Sequence, residues 1–397
     1  MKKAAFIIFL TALIVRLVYI AAVPPRSMSI DDSGRWNQVA VKFAGGEGFL
    51  KNTDGLDPKR PPVYPLFLAA NYKLFGMENF RAAKISQAFL GALTCVMLFY
   101  LGNMLLGPET GLWSGIACSF YPPLIAYCEI LQSETVFTFL FLAFLMAFSR
   151  KKEHKKAPWF FMEGLIYGVS NLCKGTVLLL PAFLVFDGLT AGKIKESLKE
   201  FFIIIFIGLV VIAPWAWRNH KLYGGLMPIS SGGAEMLWFG TLPWQEQRMF
   251  GNAPAFKDLE KNPNPVLQEK IFKDKAVSNI LSSPAGYCKL CVKKFLFFLF
   301  KPVGAEMLSA RVPALGFLSI IIHLLIILAV LFGMFRNFDW KNLSAVYIAI
   351  LYFVLIHTIL APEPRYRLPI EPLLLMLAVK GILPKRTSVN VSLRGES

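Results

Sequence analysis

Charge is scarce in this sequence. Only 17% of its 397 residues are charged, against about 25% in an ordinary soluble domain. A chain so short of polar surface cannot close as a single soluble globule. Acidic residues are scarcer still, 25 against 42 Lys and Arg, which leaves a formal net charge of +17. That sign invites a nucleic-acid partner, but the chain lacks a polar basic domain to receive one, and nucleic-acid binding is set aside. Cysteines number only six. Cys95, Cys118, Cys128 and Cys173 lie in or at the ends of apolar segments and read as small hydrophobes. Cys288 and Cys291 form a lone CxxC without the four ligands of a zinc site, so they read as a structural or incidental pair. Internal repeats and low-complexity stretches are missing too. Disorder is excluded by a hydrophobic content of 55% and a mean hydropathy of +0.53.

What the sequence does have is apolar blocks. Near-continuous runs cover 4–23, 201–217, 314–335 and 343–360, each close to the roughly 20 residues that cross a bilayer core as a helix. The chain reads as an all-α polytopic membrane protein. Ten spans fit the pattern: 4–23, 82–106, 111–127, 130–149, 157–172, 175–189, 201–217, 314–335, 343–360 and 368–382. Several are short, which predicts tilted or broken helices. The Met-Lys-Lys start runs into an apolar stretch too long for a signal peptide and without a clear cleavage site, so it reads as a retained first helix.

Basic connections set the orientation. The segment 150–156 (RKKEHKK), 193–199, 336–341 and the tail at Lys385 and Arg386 join Lys2 and Lys3 on one face when ten helices are counted. The positive-inside rule makes that face cytoplasmic. Arg26, Arg35, Lys59 and Arg60 in the first outward loop, 24–81, argue the other way, but the reverse orientation would place RKKEHKK outside. The second outward loop covers 218–313. Its FLFFLF run, 295–300, is too short to cross and reads as an interfacial helix. Three parts follow: a module at 1–217 that includes the first outward loop, the second loop at 218–313, and C-terminal helices with a tail at 314–397.

Candidate chemistry gathers in the outward segments. Asp31 and Asp32 follow the first span and open an expected helix from Asp32 to Phe43. Two readings stand side by side: carboxylates available for chemistry at the lipid–water boundary, or a helix N-cap. Farther on, 60–69 reads RPPVYPLFLA, with prolines that stiffen the chain before a helix resumes. Glu129 and Glu134 flank the start of span four, Lys174 sits between spans five and six, Arg218, Asn219 and His220 follow span seven, and Arg365-Tyr366-Arg367 precede span ten. Arg16 lies inside span one, where a charge costs roughly 2.5–3.5 kcal/mol even on a lenient scale; it is expected to snorkel outward or to pair with an acid. Acids and cations at one membrane face suit sugar transfer from a polyprenyl phosphate. The departing phosphate needs charge stabilisation rather than a proton, and the acceptor needs one carboxylate as base.

Asp32, Trp36, Ala40, Ala44, Gly46, Gly48 and Phe49, followed by RPPVYPLFLA, resemble the GT-C glycosyltransferases, in particular the bacterial versions of the protein O-mannosyltransferase and aminoarabinose transferase group. LQSET at 131–135, PWAWRN at 214–219 and RYRLPIEP at 365–372 extend the resemblance along most of the chain. The resemblance implies inverting transfer from a polyprenyl-phosphate sugar to a lipid, glycan or protein acceptor. It places the site on the outer or periplasmic face of the bacterial plasma membrane. Asp32 matches the catalytic carboxylate, Asp31 adjoins it, and Glu134 matches a second acidic position. Arg60, Lys174, Arg365 and Arg367 are the cations expected at the donor phosphate, with Trp36, Tyr64 and Arg16 as structural residues of the substrate site. Some members use a divalent cation, for which Asp31, Asp32 and Glu134 could supply oxygen ligands. Many relatives have Tyr where Trp36 stands, and relatives often carry a larger C-terminal outward domain, where the acceptor is usually recognised. Two other readings remain: a transporter or flippase for a lipid-linked or anionic substrate, and a ligase joining a preassembled glycan to lipid.

Overall fold

The computed structural model describes residues 1–24, 32–48, 57–150, 157–247, 264–304, 309 and 312–383. Among the described residues every regular element is helical. Lipid dictates this, because a backbone inside a bilayer has to satisfy its N–H and C=O groups within its own segment. In chain order the helices are α1 (Lys2–Ala22), α2 (Ser33–Ala44), α3 (Val63–Phe75), α4 (Phe80–Leu106), α5 (Pro108–Phe120), α6 (Pro122–Ala126), α7 (Glu134–Phe148), α8 (Ala157–Cys173), α9 (Leu180–Thr190), α10 (Ile194–Tyr223) and α11 (Gly233–Phe239). They continue as α12 (Trp244–Gln247), α13 (Pro265–Ser282), α14 (Pro284–Phe300), α15 (Pro313–Asn337), α16 (Trp340–Ile359) and α17 (Glu371–Ile382).

Among the described residues, five helices are long and apolar enough to cross a membrane: Lys2–Ala22, Phe80–Leu106, Ile194–Tyr223, Gly316–Arg336 within α15, and Trp340–Ile359. Glu134–Phe148 and Gly175–Thr190 are apolar but shorter. The other expected spans are likewise shorter helices or broken ones. The span expected at 111–127 divides at Tyr121, which is extended and precedes Pro122 and Pro123; a residue before proline is pushed out of the helical region. The FLFFLF run is the end of the longer helix α14, which also carries Cys288 and Cys291 as free thiols. Residues 151–156 of RKKEHKK, and Arg26, Lys385 and Arg386, lie outside the described residues.

The long helices α1 and α15 each turn a row of large apolar side chains outward. On α1, Ala5, Ile8, Ala12 and Arg16 are buried at helical spacing, while Phe6, Ile7, Leu10, Ile14 and Val18 are exposed. Small residues inside and bulky ones outside is the pattern of helices packed in lipid. On α15, Phe317, Leu325 and Leu328 face outward in the same way. The chain is an integral membrane protein.

Arg16 neither snorkels nor meets an acid, contrary to expectation. It is fully buried, and its Nη1 donates to the Ala12 and Ser119 carbonyls at 3.0 and 3.4 Å, while Nη2 lies 3.5 Å from Cys95 Sγ. It fastens α1 to α4 and α5, because carbonyls and a polarisable sulfur are the partners those helices offer. Gly91 leaves it room, since a Cβ there would stand 2.7 Å from Arg16 Nε.

Close packing of α4 on α5 rests on Gly102 and Gly111. A Cβ at Gly111 would lie 2.6 Å from both the Asn103 nitrogen and the Phe99 carbonyl oxygen, backbone atoms that cannot rotate aside. Gly111→Ala is therefore expected to part the two helices and destabilise the fold by about 1–3 kcal/mol. Thermal unfolding in detergent checks this, and an unchanged midpoint would refute so close an approach.

Candidate active site

Asp32 stands in the N-cap position of α2, yet its side chain accepts no hydrogen bond from the helix. The simple capping reading is thereby replaced. Oδ1 accepts from Arg60 Nη2 at 2.7 Å, and Oδ2 accepts from Arg365 Nη2 at 3.1 Å. One arginine precedes α3 and the other lies in the 3₁₀ segment Pro364–Ile370. Burial would raise the Asp32 pKa, but the Arg60 and Arg365 guanidiniums outweigh it and hold the carboxyl down at about 2.

Arg60 is placed by local chemistry. Pro61 and Pro62 fix the chain ahead of α3, since proline suits a helix start and lacks the N–H that a helix interior requires. The Arg60 guanidinium stacks 4.7 Å from the Trp36 ring centroid, and Trp36 meets Tyr64 edge-on at 5.2 Å. Tyr64 donates to Gln87 Oε1 at 2.7 Å, and Gln87 Nε2 donates to the Cys128 and Ile130 carbonyls at 2.9 Å. This chain of contacts anchors Arg60 in the helical bundle. Trp36 and Tyr64 thus support the site, with Tyr64 one layer behind the cavity wall.

The second acid is also paired. Glu134 begins α7, and its Oε1 accepts from Lys174 Nζ at 3.0 Å. Lys174 Nζ in turn lies 4.3 Å from the centroid of Tyr366. Arg365 stands between the two acids. Burial opposes its charge, but Tyr366, Glu134 and Asp32 hold its pKa above the ordinary arginine range. Asp32, Arg60, Glu134, Lys174 and Arg365 all line one cavity of about 850 Å³. Among the described residues no group of three His, Cys, Asp or Glu side chains is arranged to hold a metal ion. Asp31, the third oxygen ligand considered from sequence, lies outside the described residues.

Three sequence candidates are elsewhere. Arg367, expected at the phosphate, is fully buried away from the cavity. Its Nε donates to Glu371 Oε1 at 2.6 Å, and its other nitrogens donate to the Phe298, Leu299 and Lys301 carbonyls. Every nitrogen of that guanidinium is engaged, by Glu371 of α17 or by the end of α14, so none faces a ligand. Glu129 is buried against Lys84 at 2.8 Å and does not line the cavity. Arg16 is absent from the cavity wall as well. Arg218 has a bracing position: its Nη2 donates to the Gly48 carbonyl at 2.8 Å, while neighbouring Asn219 and Trp215 hold the Met227 and Ile229 carbonyls. PWAWRN therefore ties Gly48 and the segment 227–229 to α10.

Sequence reading missed one wall of the cavity. Ser231 and Glu235 come from the segment that follows α10, and Glu235 Oε2 lies 2.7 Å from Lys59 Nζ. His357, from α16, also lines the cavity, stacked between Phe298 and Tyr366 at 5.1 and 5.0 Å. Position beside Arg60 was a usable signal for Lys59. The others belong to no motif, and only the fold brings them there.

Residues 59–217 match the family model described as dolichyl-phosphate-mannose-protein mannosyltransferase. That segment contains Arg60, Glu134 and Lys174 but neither Asp32 nor Arg365. No curated protein matches the chain by sequence. Among solved structures, AglB, the archaeal oligosaccharyltransferase of Archaeoglobus fulgidus in complex with an inhibitory peptide and a dolichol-phosphate, is 12% identical with a TM-score of 0.59. The alignment covers 96% of this chain and 50% of that one, so the chain spans about half the length of that enzyme. ArnT from Cupriavidus metallidurans bound to undecaprenyl phosphate is 14% identical over 92% of this chain and 77% of that one, with a TM-score of 0.48. Residues 59–217 are thus similar to the dolichyl-phosphate-mannose-protein mannosyltransferase family, and the chain as a whole shares its fold with AglB.

Proposed function

We propose that the chain transfers a sugar, with inversion, from a polyprenyl-phosphate donor to an acceptor at the outer face of a bacterial plasma membrane, with Asp32 as general base. The observation that carries this reading is the state of Asp32: a cavity-lining carboxylate that leaves its own helix uncapped and is held between two guanidiniums. Asp32 takes the proton of the acceptor hydroxyl or amine as that atom attacks the anomeric carbon. The bond from that carbon to the phosphate oxygen breaks, and its electron pair leaves with the polyprenyl phosphate. Arg60, Arg365 and Lys174 compensate the charge that develops there. Glu134 orients Lys174, and Arg367 has no part in phosphate binding.

A pKa of about 2 makes Asp32 a poor base while both arginines rest on it. A donor phosphate seated on Arg60 and Arg365 shares their positive charge, which restores basicity to the carboxylate when the donor is present. All three parts of the chain, 1–217, 218–313 and 314–397, contribute to the cavity, so they act as contributors to one site rather than as separate catalytic units.

The test is transfer of labelled sugar from a set of undecaprenyl-phosphate sugars by the purified protein in nanodiscs, with a membrane lipid extract as acceptor. Arg60→Ala is expected to raise the donor KM about tenfold or more, the loss of a charge-assisted contact to phosphate. Tight donor binding without turnover from any donor would favour a transporter instead.

A further inference from the structure

We propose that Ser231 hydrogen-bonds a hydroxyl of the donor's sugar ring, which makes the segment 230–235 of the second outward loop the wall that recognises the sugar. This rests on the transferase reading above and adds the chemical class that the cavity accepts: a neutral, hydroxylated ring attached to the phosphate.

Ser231 lines the cavity and is only 6% exposed, yet its Oγ has no hydrogen-bond partner among the described residues. Buried hydroxyls are nearly always paired, so one without a partner inside a cavity marks a contact left for a ligand. The backbone fixes where it stands. Ser231 N donates to the Pro58 carbonyl at 3.0 Å, which sets the residue beside Lys59 and Arg60. The wall is held from behind by Glu269 of α13, whose carboxylate accepts from the Gly232 and Ala234 amides. A Cβ at Gly233, another cavity residue, would meet nothing within 4 Å. The wall therefore has free space at Gly233, two positions along from Ser231.

Position and charge select the sugar. Arg60 takes the phosphate in the transferase reading, and the sugar is bonded directly to that phosphate, so the ring must occupy the space next to Arg60. The charged groups on this wall already neutralise each other, since Glu235 is buried against Lys59 at 2.7 Å. Such a pair can both donate and accept hydrogen bonds while offering no net charge to a second phosphate. A hydroxyl beside a neutralised acid–base pair suits a polyhydroxylated ring.

The experiment compares bare undecaprenyl phosphate with hexosyl- and pentosyl-phosphoundecaprenols, measuring binding to wild type and Ser231→Ala in nanodiscs. Wild type should bind at least one sugar-bearing lipid more tightly than the bare lipid phosphate. Ser231→Ala should lose about five- to tenfold of that sugar-dependent gain, the size of one or two hydrogen bonds, while binding the bare lipid as before. Unchanged binding of bare lipid also shows that the variant is folded. If the gain survives in Ser231→Ala, or if no sugar improves on the bare lipid in wild type, the inference is overturned and the phosphate site stands. Failure of wild type to bind bare undecaprenyl phosphate would remove the transferase reading itself.

Discussion

Asp32→Asn is expected to reduce the turnover rate by roughly 10²–10⁴-fold, the usual contribution of a positioned general base, without weakening donor binding. Asparagine keeps the shape of the side chain and one carbonyl oxygen, so Arg60 and Arg365 retain a partner. It loses the charge that those guanidiniums currently neutralise, which leaves them freer to hold a phosphate. The signature is thus a collapsed kcat with a donor KM that is unchanged or lower. A carboxylate serving only to brace the arginines would give the opposite split, and full transfer by the variant would remove Asp32 as the base. The pH profile adds an independent check. With its folded pKa at about 2, Asp32 is ionised in the free enzyme at all ordinary pH values, so kcat/KM should show no acid limb from this group down to about pH 3. Arg365→Gln removes one of the charges that favour the ionised form and leaves the burial that opposes it. The Asp32 pKa then rises, and an acid limb should move up into the range above 4. A profile that stays flat in Arg365→Gln would show that the pair does not control the base.

Arg367→Met is expected to destabilise the protein by about 3–5 kcal/mol, the usual cost of breaking a buried ion pair from one side. Both members of the Arg367–Glu371 pair are 0% exposed. Without the arginine, Glu371 is left buried with Tyr121, whose hydroxyl donates to it at 2.9 Å, and the Phe298 and Lys301 carbonyls lose the Arg367 donor. The unfolding midpoint in detergent should fall sharply. Replacing both members, Arg367→Met with Glu371→Leu, should recover much of the loss, because no buried charge then remains unpaired. Arg365→Met is the contrast: transfer should slow, with a smaller change in midpoint, since Asp32 keeps Arg60. If the two arginines gave the same phenotype, the division between a site arginine and a structural one would be wrong.

That division shows where sequence reading stops. Within RYRLPIEP, Arg365 and Arg367 are chemically identical, and both qualified as phosphate cations. In the 3₁₀ segment 364–370, with three residues per turn, positions two apart project roughly 120° apart around the axis. One guanidinium therefore enters the cavity while the other turns into the bundle. Asp32 illustrates the complementary case. Its position at the head of a helix was readable: the helix expected from Asp32 to Phe43 spans Ser33–Ala44. Whether the carboxylate caps that helix or reaches outward depended on two arginines, one of them 333 positions away.

Composition and the apolar runs were enough to establish an all-helical membrane protein, and the prolines of RPPVYP were enough to place Arg60 ahead of a helix, because both follow from local backbone chemistry and the cost of polar groups in lipid. The partners of each charge were a different matter. Glu134 with Lys174, Lys59 with Glu235 and the unpartnered Ser231 are decided by which helix ends meet at the cavity. That depends on packing between segments far apart in the chain, where no local periodicity carries the information.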